Sequence, residues 1–418
     1  MKYSARNIYQ NVLVKNISSL YTLQLLNFVF PLVTLPYLTR VLGVEEFGNL
    51  ILAQSIAFLF AAPIEYGFGL STTRSIAIAK GNIQEITNLV SNTVSAKLYL
   101  TVLTVILFGI AYSFNLFDKV NGYTIEILLL FTVSGWSFLW FYRGIEKTYY
   151  PVIIELIGKV FYTVCVFLFI SDSDDGKYVL QLQILILVIT IGLSFIILKK
   201  WIAELSISLA RGMETILTDG PLFIFKGLAS IHANIPIIVL SYFVSAQYFG
   251  LFTAAFKLSK QLIAALSGPF WDALYPSMSR SLNIKQSSPK IFKIFIVSSL
   301  FGILYGLSVY MFAEDFVLLI FGKNFSQSSS LLRILALACP IIAVNISLIN
   351  IMISQKYERL VNVATAVNII ILIAMFVFVI AEYGEAISTW VIVFTELILL
   401  AELLITNNFQ SILSITEQ

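Results

Sequence analysis

Apolar residues in this chain come in long unbroken runs, not in the alternating or three-to-four-residue stripes of soluble elements. Runs long enough to cross a hydrocarbon layer of about 30 Å recur near 17–38, 48–70, 90–113, 123–142, 151–170, 178–198, 221–243, 250–271, 291–313, 331–353, 360–381 and 386–406. The pattern predicts an all-α polytopic membrane protein with about 12 transmembrane helices. The connections are short, the longest running from Lys199 to Gly220, with no soluble domain inserted. The first run follows Lys2, Arg6 and Lys15 and is longer than the core of a signal peptide, so it reads as a span and not as a cleaved leader.

Composition agrees. Of the 418 residues, 59% are hydrophobic and only 12% charged, about half the charged fraction of a soluble domain. Loop charges orient the spans. With the N-terminus in the cytoplasm, inward-facing segments hold 16 of the 26 lysines and arginines, including Arg74, Arg143, Lys147, Lys199 and Lys200. Outward loops hold 4: Arg40, Lys119, Lys177 and Lys323. This is the positive-inside bias, and an incorrect span count would scramble it. It places both termini in the cytoplasm. A net charge of +3, scattered along the chain, does not point to nucleic acid. Cys165 and Cys339 both lie in apolar runs and predict no disulfide, and a single histidine, His232, argues against a histidine-rich metal site. No cofactor is expected.

Punctuation repeats across the two halves. Leu35-Pro36, Phe47-Gly48, Pro63 and Arg74 are echoed by Ile235-Pro236, Phe249-Gly250, Pro269 and Arg280, with eleven residues from proline to arginine in each copy. Six spans per copy is an even number, so the copies enter the membrane in the same direction. The prediction is two parallel six-helix lobes, 1–198 and 221–418, around a central cavity, joined by an amphipathic cytoplasmic linker at 199–220.

Ionisable residues inside spans are costly and mark functional candidates. Lys257 and Lys260 share a face of the eighth span, seven and ten residues from its outer end, and are candidates for a cationic binding site. Lys226 and Lys97 are further candidates, although both are near enough to a span end to snorkel. Arg40, Arg74 and Arg280 sit at span ends, where loop anchoring is the ordinary role. Glu396, ten residues into the last span, is a candidate for ion coupling, with Asp272 and Glu65 secondary. Glu155 and Lys159 are spaced to neutralise each other on one helix face. His232 reads as a core histidine with a partner more readily than as a coupling residue.

The stretch Asn27–Gly43, followed by Glu46-Phe-Gly-Asn49 and Glu65–Arg74, resembles the opening of Wzx-type polysaccharide flippases. Phe141–Lys147, Gly220–Phe223, Tyr248–Ala255 and Ala273–Arg280 are similar to later landmarks of that family, and it is the order of the segments that is specific. The family belongs to the multidrug/oligosaccharidyl-lipid/polysaccharide exporter superfamily. The resemblance implies a flippase that carries undecaprenyl-pyrophosphate-linked repeat units from the cytoplasmic to the periplasmic leaflet of the bacterial inner membrane. It implies alternating access of two lobes for O-antigen or other surface-polysaccharide synthesis, with a polymerase and chain-length machinery as partners alongside membrane lipids. A cationic cavity in related flippases agrees with Lys257 and Lys260; the coupling ion and the sugar stay open.

Two alternatives stand beside this reading. A multidrug or cation antiporter of the same superfamily would favour an acidic cavity, whereas the deep charges of the eighth span are basic. A membrane glycosyltransferase or polymerase would need catalytic acids in an outer loop; Glu45-Glu46 occupy one, but that loop is short and unmatched in the repeat.

Overall fold

The structure is a computed structural model describing residues 2–79, 81–261, 263, 284–354 and 357–416. Described residues in regular elements are helical: α1 (Lys2–Glu65), α2 (Ser71–Ile78), α3 (Ile83–Ser113), α4 (Thr124–Ser134), α5 (Leu139–Gly144), α6 (Tyr149–Phe169), α7 (Gly176–Leu198), α8 (Leu209–Leu240), α9 (246–261), α10 (Ile284–Met311), α11 (Ala313–Ile320), α12 (Ser328–Ser354), α13 (Glu358–Tyr383) and α14 (Ser388–Thr416). Five short 3₁₀ turns connect them. Among the described residues, 8 helices are long and apolar enough to span a membrane, or 9 if the bent pair Ser299–Met311 and Ala313–Ile320, angled at 69°, counts as one. Large apolar side chains such as Phe169, Leu217 and Phe378 stay exposed on the helices, as expected where lipid is the solvent.

Three local features add detail to the pattern-based prediction. The first two predicted spans are one helix, α1, broken only at Gly43, whose φ of 73° lies in the left-handed region. Glycine adopts that conformation at little cost, so the chain turns without a loop. The fourth predicted span is interrupted: α4 ends at Ser134 and α5 begins at Leu139. The linker begins with a turn at Lys199–Trp201 and runs non-helically through 202–208 before α8 starts at Leu209.

The described chain gathers into two compact units. The first comprises Met1–Thr34 and Leu52–Ser230; the second comprises Leu35–Ile51 and Ile231–Gln418. In the first unit, α3 organises the linker. Thr87, Ser91 and Ser95, spaced four residues apart, accept hydrogen bonds from the backbone N–H groups of Ala203 (2.9 Å), Ser206 (3.2 Å) and Ser208 (3.0 Å). This row of hydroxyls answers the donors that an extended segment leaves unpaired. Beyond it, a Cβ on Gly212 would lie 2.9 Å from the backbone of Ala96, so α8 starts in close contact with α3. Trp201 packs into an aromatic cluster with Phe141, Tyr142 and Tyr150, and the Lys147 ammonium lies 5.1 Å from its ring centroid.

In the second unit, α10 and α12 approach closely through Gly302-x-x-x-Gly306. A Cβ on Gly302 would lie 2.8 Å from the Cα of Pro340, and one on Gly306 would lie 2.7 Å from the carbonyl of Ala336. Pro340, inside α12, cannot donate to that carbonyl. Small residues at this spacing let helix backbones meet where no hydrophobic force separates helix from lipid. The 35–51 segment belongs here too. Phe47 sits 6.2 Å from Phe321 and 5.7 Å from Phe325 between ring centroids, and Arg40 Nη2 donates to the carbonyl of Leu319 at 3.1 Å.

Candidate functional site

The intramembrane charges fall into two groups, one within each unit. In the first unit, Lys97 on α3 is 2% exposed and donates from Nζ to the carbonyl of Gly135 at 2.6 Å. Gly135 is the residue that ends α4, where backbone carbonyls lose their helical partners. A cation there also meets the negative end of the helix dipole. Lys97 therefore serves as a tertiary cap for the broken span, and its charge is committed to the fold. Its Nζ also lies 5.9 Å from the Phe68 ring centroid.

Lys226 on α8 is arranged differently. Its Nζ lies 2.9 Å from where a Cβ on Gly69 would stand, so the missing side chain at 69 makes room for the ammonium. Beside it, Tyr66 and Phe223 stack at 4.4 Å and 12°, and the Tyr66 hydroxyl donates to the carbonyl of Ile216 at 2.7 Å. Lys226 is half-buried and makes no hydrogen bond among the described residues. Glu65, although exposed, lies close enough to act electrostatically on both Lys226 and Lys97, and Arg74 is likewise exposed. Glu155 and Lys159 form the expected pair at 2.8 Å, and Lys159 also donates to Asn27 Oδ1.

In the second unit, a cavity of about 40 Å³ is lined by His232 and Pro236 of α8, Phe256, Ser259 and Lys260 of α9, Ile263, Leu335, Ala338 and Ile342 of α12, Leu372 of α13, and Ile392, Thr395 and Glu396 of α14. Lys260 donates to the carbonyl of Ala233 and lies 4.5 Å from the Phe256 ring centroid. Glu396 Oε2 accepts from Asn345 Nδ2 at 2.9 Å. His232 Nε2 lies 3.2 Å from Asn368 Oδ1, and Asn368 Nδ2 donates to the carbonyl of Thr395 at 2.7 Å.

Of the sequence-derived candidates, Lys260 and Glu396 line this one cavity, and Lys257, half-buried on the same helix, is not among its lining residues. Arg40 binds the end of α11. Arg280 and Asp272 lie outside the described residues. Asn345 and Asn368, in the tenth and eleventh apolar runs, are polar members of this region that a charge survey passes over, while His232, expected to be a core histidine with a partner, has one in Asn368. Both cysteines are buried and free. Among the described residues, no group of three or more His, Cys, Asp or Glu could hold a metal.

Comparison with known proteins places this architecture. The family described as "Polysaccharide biosynthesis protein" matches residues 13–282. The "Putative O-antigen transporter" of Escherichia coli (strain K12) is 24% identical over 361 residues, covering 82% of this chain and 84% of that protein. A protein of the same name from Shigella dysenteriae is 24% identical over 323 residues, covering 76% and 80%. Among solved structures, the inward-facing conformation of a multidrug resistance MATE family transporter of the MOP superfamily superposes with a TM-score of 0.71 at 13% identity, covering 93% of this chain and 96% of that one. Lipid II flippase MurJ, inward closed conformation, gives a TM-score of 0.70 at 14% identity, covering 92% and 87%. These structural likenesses establish the fold, a multi-helix bundle. The chain is a member of the polysaccharide biosynthesis protein family, a family of transporters and not of catalytic enzymes.

Proposed function

We propose that this protein translocates undecaprenyl-pyrophosphate-linked oligosaccharide repeat units from the cytoplasmic to the periplasmic leaflet of the bacterial inner membrane. The coarser part of this reading, transport of polysaccharide material, is supported by family membership and by the names of the two relatives. The finer part rests on one observation: the Lys226 ammonium, at the start of an apolar helix and set over Gly69, has the Glu65 carboxylate as a nearby counter-charge but makes no hydrogen bond to the protein among the described residues. A pyrophosphate carries several negative charges, and a lysine supplies one positive charge with three donors. In a partly dehydrated setting that attraction is several-fold stronger than in water. Lys97 and Lys260 already donate to backbone carbonyls, so the headgroup role passes first to Lys226. In this proposal the six-span lobes 1–198 and 221–418 alternate about the linker at 199–220, with both termini cytoplasmic.

Surface display of polysaccharide in a flippase-deleted native host tests the role of Lys226. Lys226→Ala should lower display about tenfold or more at unchanged membrane abundance, the equivalent of losing one charge-assisted contact of 1.5–3 kcal/mol. Lys226→Arg should retain it. Full display with Lys226→Ala would remove this lysine from the headgroup site.

A further inference from the structure

The end of α7 and the start of α6 form a cationic and aromatic patch that headgroup binding at Lys226 leaves unused. Lys199, Lys200 and Trp201 make up the turn that follows α7, and Lys147 lies just before α6. The Lys147 ammonium stands 5.1 Å from the Trp201 ring centroid, so the two chain segments meet. Trp201 in turn lies 5.2 Å from the ring of Tyr150, in the first turn of α6. The Lys199 ammonium folds back over Phe195, one helical turn earlier, at 5.2 Å. Lys199 and Lys200 are exposed. Ion pairs among the described residues join Glu155 to Lys159 and Glu314 to Arg333, and take none of these three lysines. Exposed Arg143 adds to the positive charge, and the acids nearest in sequence are the exposed Glu146 and Glu204.

An apolar face of α7 leads to this patch. Leu185, Ile189, Leu193 and Ile196, spaced three or four residues apart, are all exposed. In a membrane helix such a face meets acyl chains. From Leu185 to Ile196 it covers about 16 Å at the helical rise, close to half of a hydrocarbon layer of about 30 Å. Lys200 follows four residues after Ile196, where α7 has ended. Apolar face, interfacial tryptophan and ammonium groups therefore come in the order of acyl chain, interface and phosphate in one leaflet. A zwitterionic headgroup brings the patch no net charge, whereas an anionic one gains from each lysine near the membrane surface.

We propose that the ends of α6 and α7 bind an anionic phospholipid, its phosphate held by Lys147, Lys199 and Lys200 and an acyl chain laid along Leu185, Ile189, Leu193 and Ile196. In the orientation proposed above this lipid belongs to the cytoplasmic leaflet. Trp201 opens the segment that α3 holds through Thr87, Ser91 and Ser95, so a bound lipid fixes the membrane end of that segment. The site requires a multi-pass membrane protein, but neither Lys226 nor the cargo.

Native mass spectrometry of the full-length protein, released from detergent with equimolar dioleoyl phosphatidylglycerol and dioleoyl phosphatidylcholine, tests the site. The wild type should retain phosphatidylglycerol about tenfold or more over phosphatidylcholine. Lys199→Gln/Lys200→Gln should lower that preference about fivefold or more. Both side chains are exposed, so the variant should keep its fold, checked by a monodisperse chromatographic peak. Lys119→Gln/Lys177→Gln removes the same charge at the other end of α7, where Lys177 lies beside the turn that carries Lys119, and should leave the preference unchanged. Equal retention of the two lipids by the wild type would overturn the proposal, as would an equal fall in the two variants. Tighter retention of undecaprenyl phosphate than of phosphatidylglycerol would assign the patch to the carrier lipid and overturn it as well. The readout needs no glycan cargo, so its failure leaves the flippase reading standing, and a failed flipping assay leaves this one standing.

Discussion

Gly48 and Gly250 lie against each other: a Cβ on Gly48 would stand 3.1 Å from the Cα of Gly250, and one on Gly250 would collide with the carbonyl oxygen of Val44. These are the glycines of the two Phe-Gly markers in the internal repeat, so the matched sequence signals meet in space within the second unit. The same approach places Phe47 among Phe321 and Phe325.

Glycine is required more strictly at one side of this contact than at the other. Gly250→Ala would drive a methyl group into backbone and should cost about 3 kcal/mol or more. Gly48→Ala meets backbone at 3.1 Å and should cost closer to 1 kcal/mol. Thermal unfolding of detergent-purified protein, read as loss of the monodisperse chromatographic peak, should rank wild type above Gly48→Ala and Gly48→Ala above Gly250→Ala.

Lys97 should behave as a structural cation. Lys97→Met keeps most of the packing volume but leaves the Gly135 carbonyl without its partner, at a cost of about 1.5–3 kcal/mol. Abundance and thermal stability should fall together, and any transport that remains should scale with the folded protein. A loss of transport at unchanged stability would instead show that Lys97 meets the cargo.

The hydroxyl row on α3 makes a separate prediction. Thr87→Val, Ser91→Ala and Ser95→Ala together remove three acceptors, each worth about 1 kcal/mol. Amide hydrogen exchange at Ala203, Ser206 and Ser208 should speed up by about tenfold or more, while exchange in α6 and α7 stays unchanged. If these amides are equally protected in the triple variant, the row does not hold the linker.

The sequence carried the span pattern well because hydrophobic length is a local property. The Glu155–Lys159 pair was legible for the same reason, its partners being one helical turn apart. Other pairings were not. Lys97 and Gly135 are 38 residues apart, Lys260 and Ala233 are 27 apart, and His232 and Asn368 are 136 apart. Which carbonyl or amide a buried cation finds depends on how helices pack, and periodicity says nothing of that. For this reason the paired lysines of the eighth span read as one cationic face, whereas the cavity takes in Lys260 and not Lys257. The break after α4 was marked in sequence only by Ser134-Gly135 and Ser137 within a largely apolar run. The non-helical stretch at 202–208 depends on hydroxyls more than a hundred residues earlier in the chain.

Flipping itself can be measured with purified protein. Proteoliposomes would carry an undecaprenyl-pyrophosphate-linked oligosaccharide in the inner leaflet, with an impermeant glycan-binding protein outside to detect its arrival. The account predicts that the glycan becomes accessible only in vesicles containing this protein, and about tenfold or more slowly with Lys226→Ala. Arrival at the protein-free rate, with folded wild-type protein confirmed in the vesicles, would contradict it.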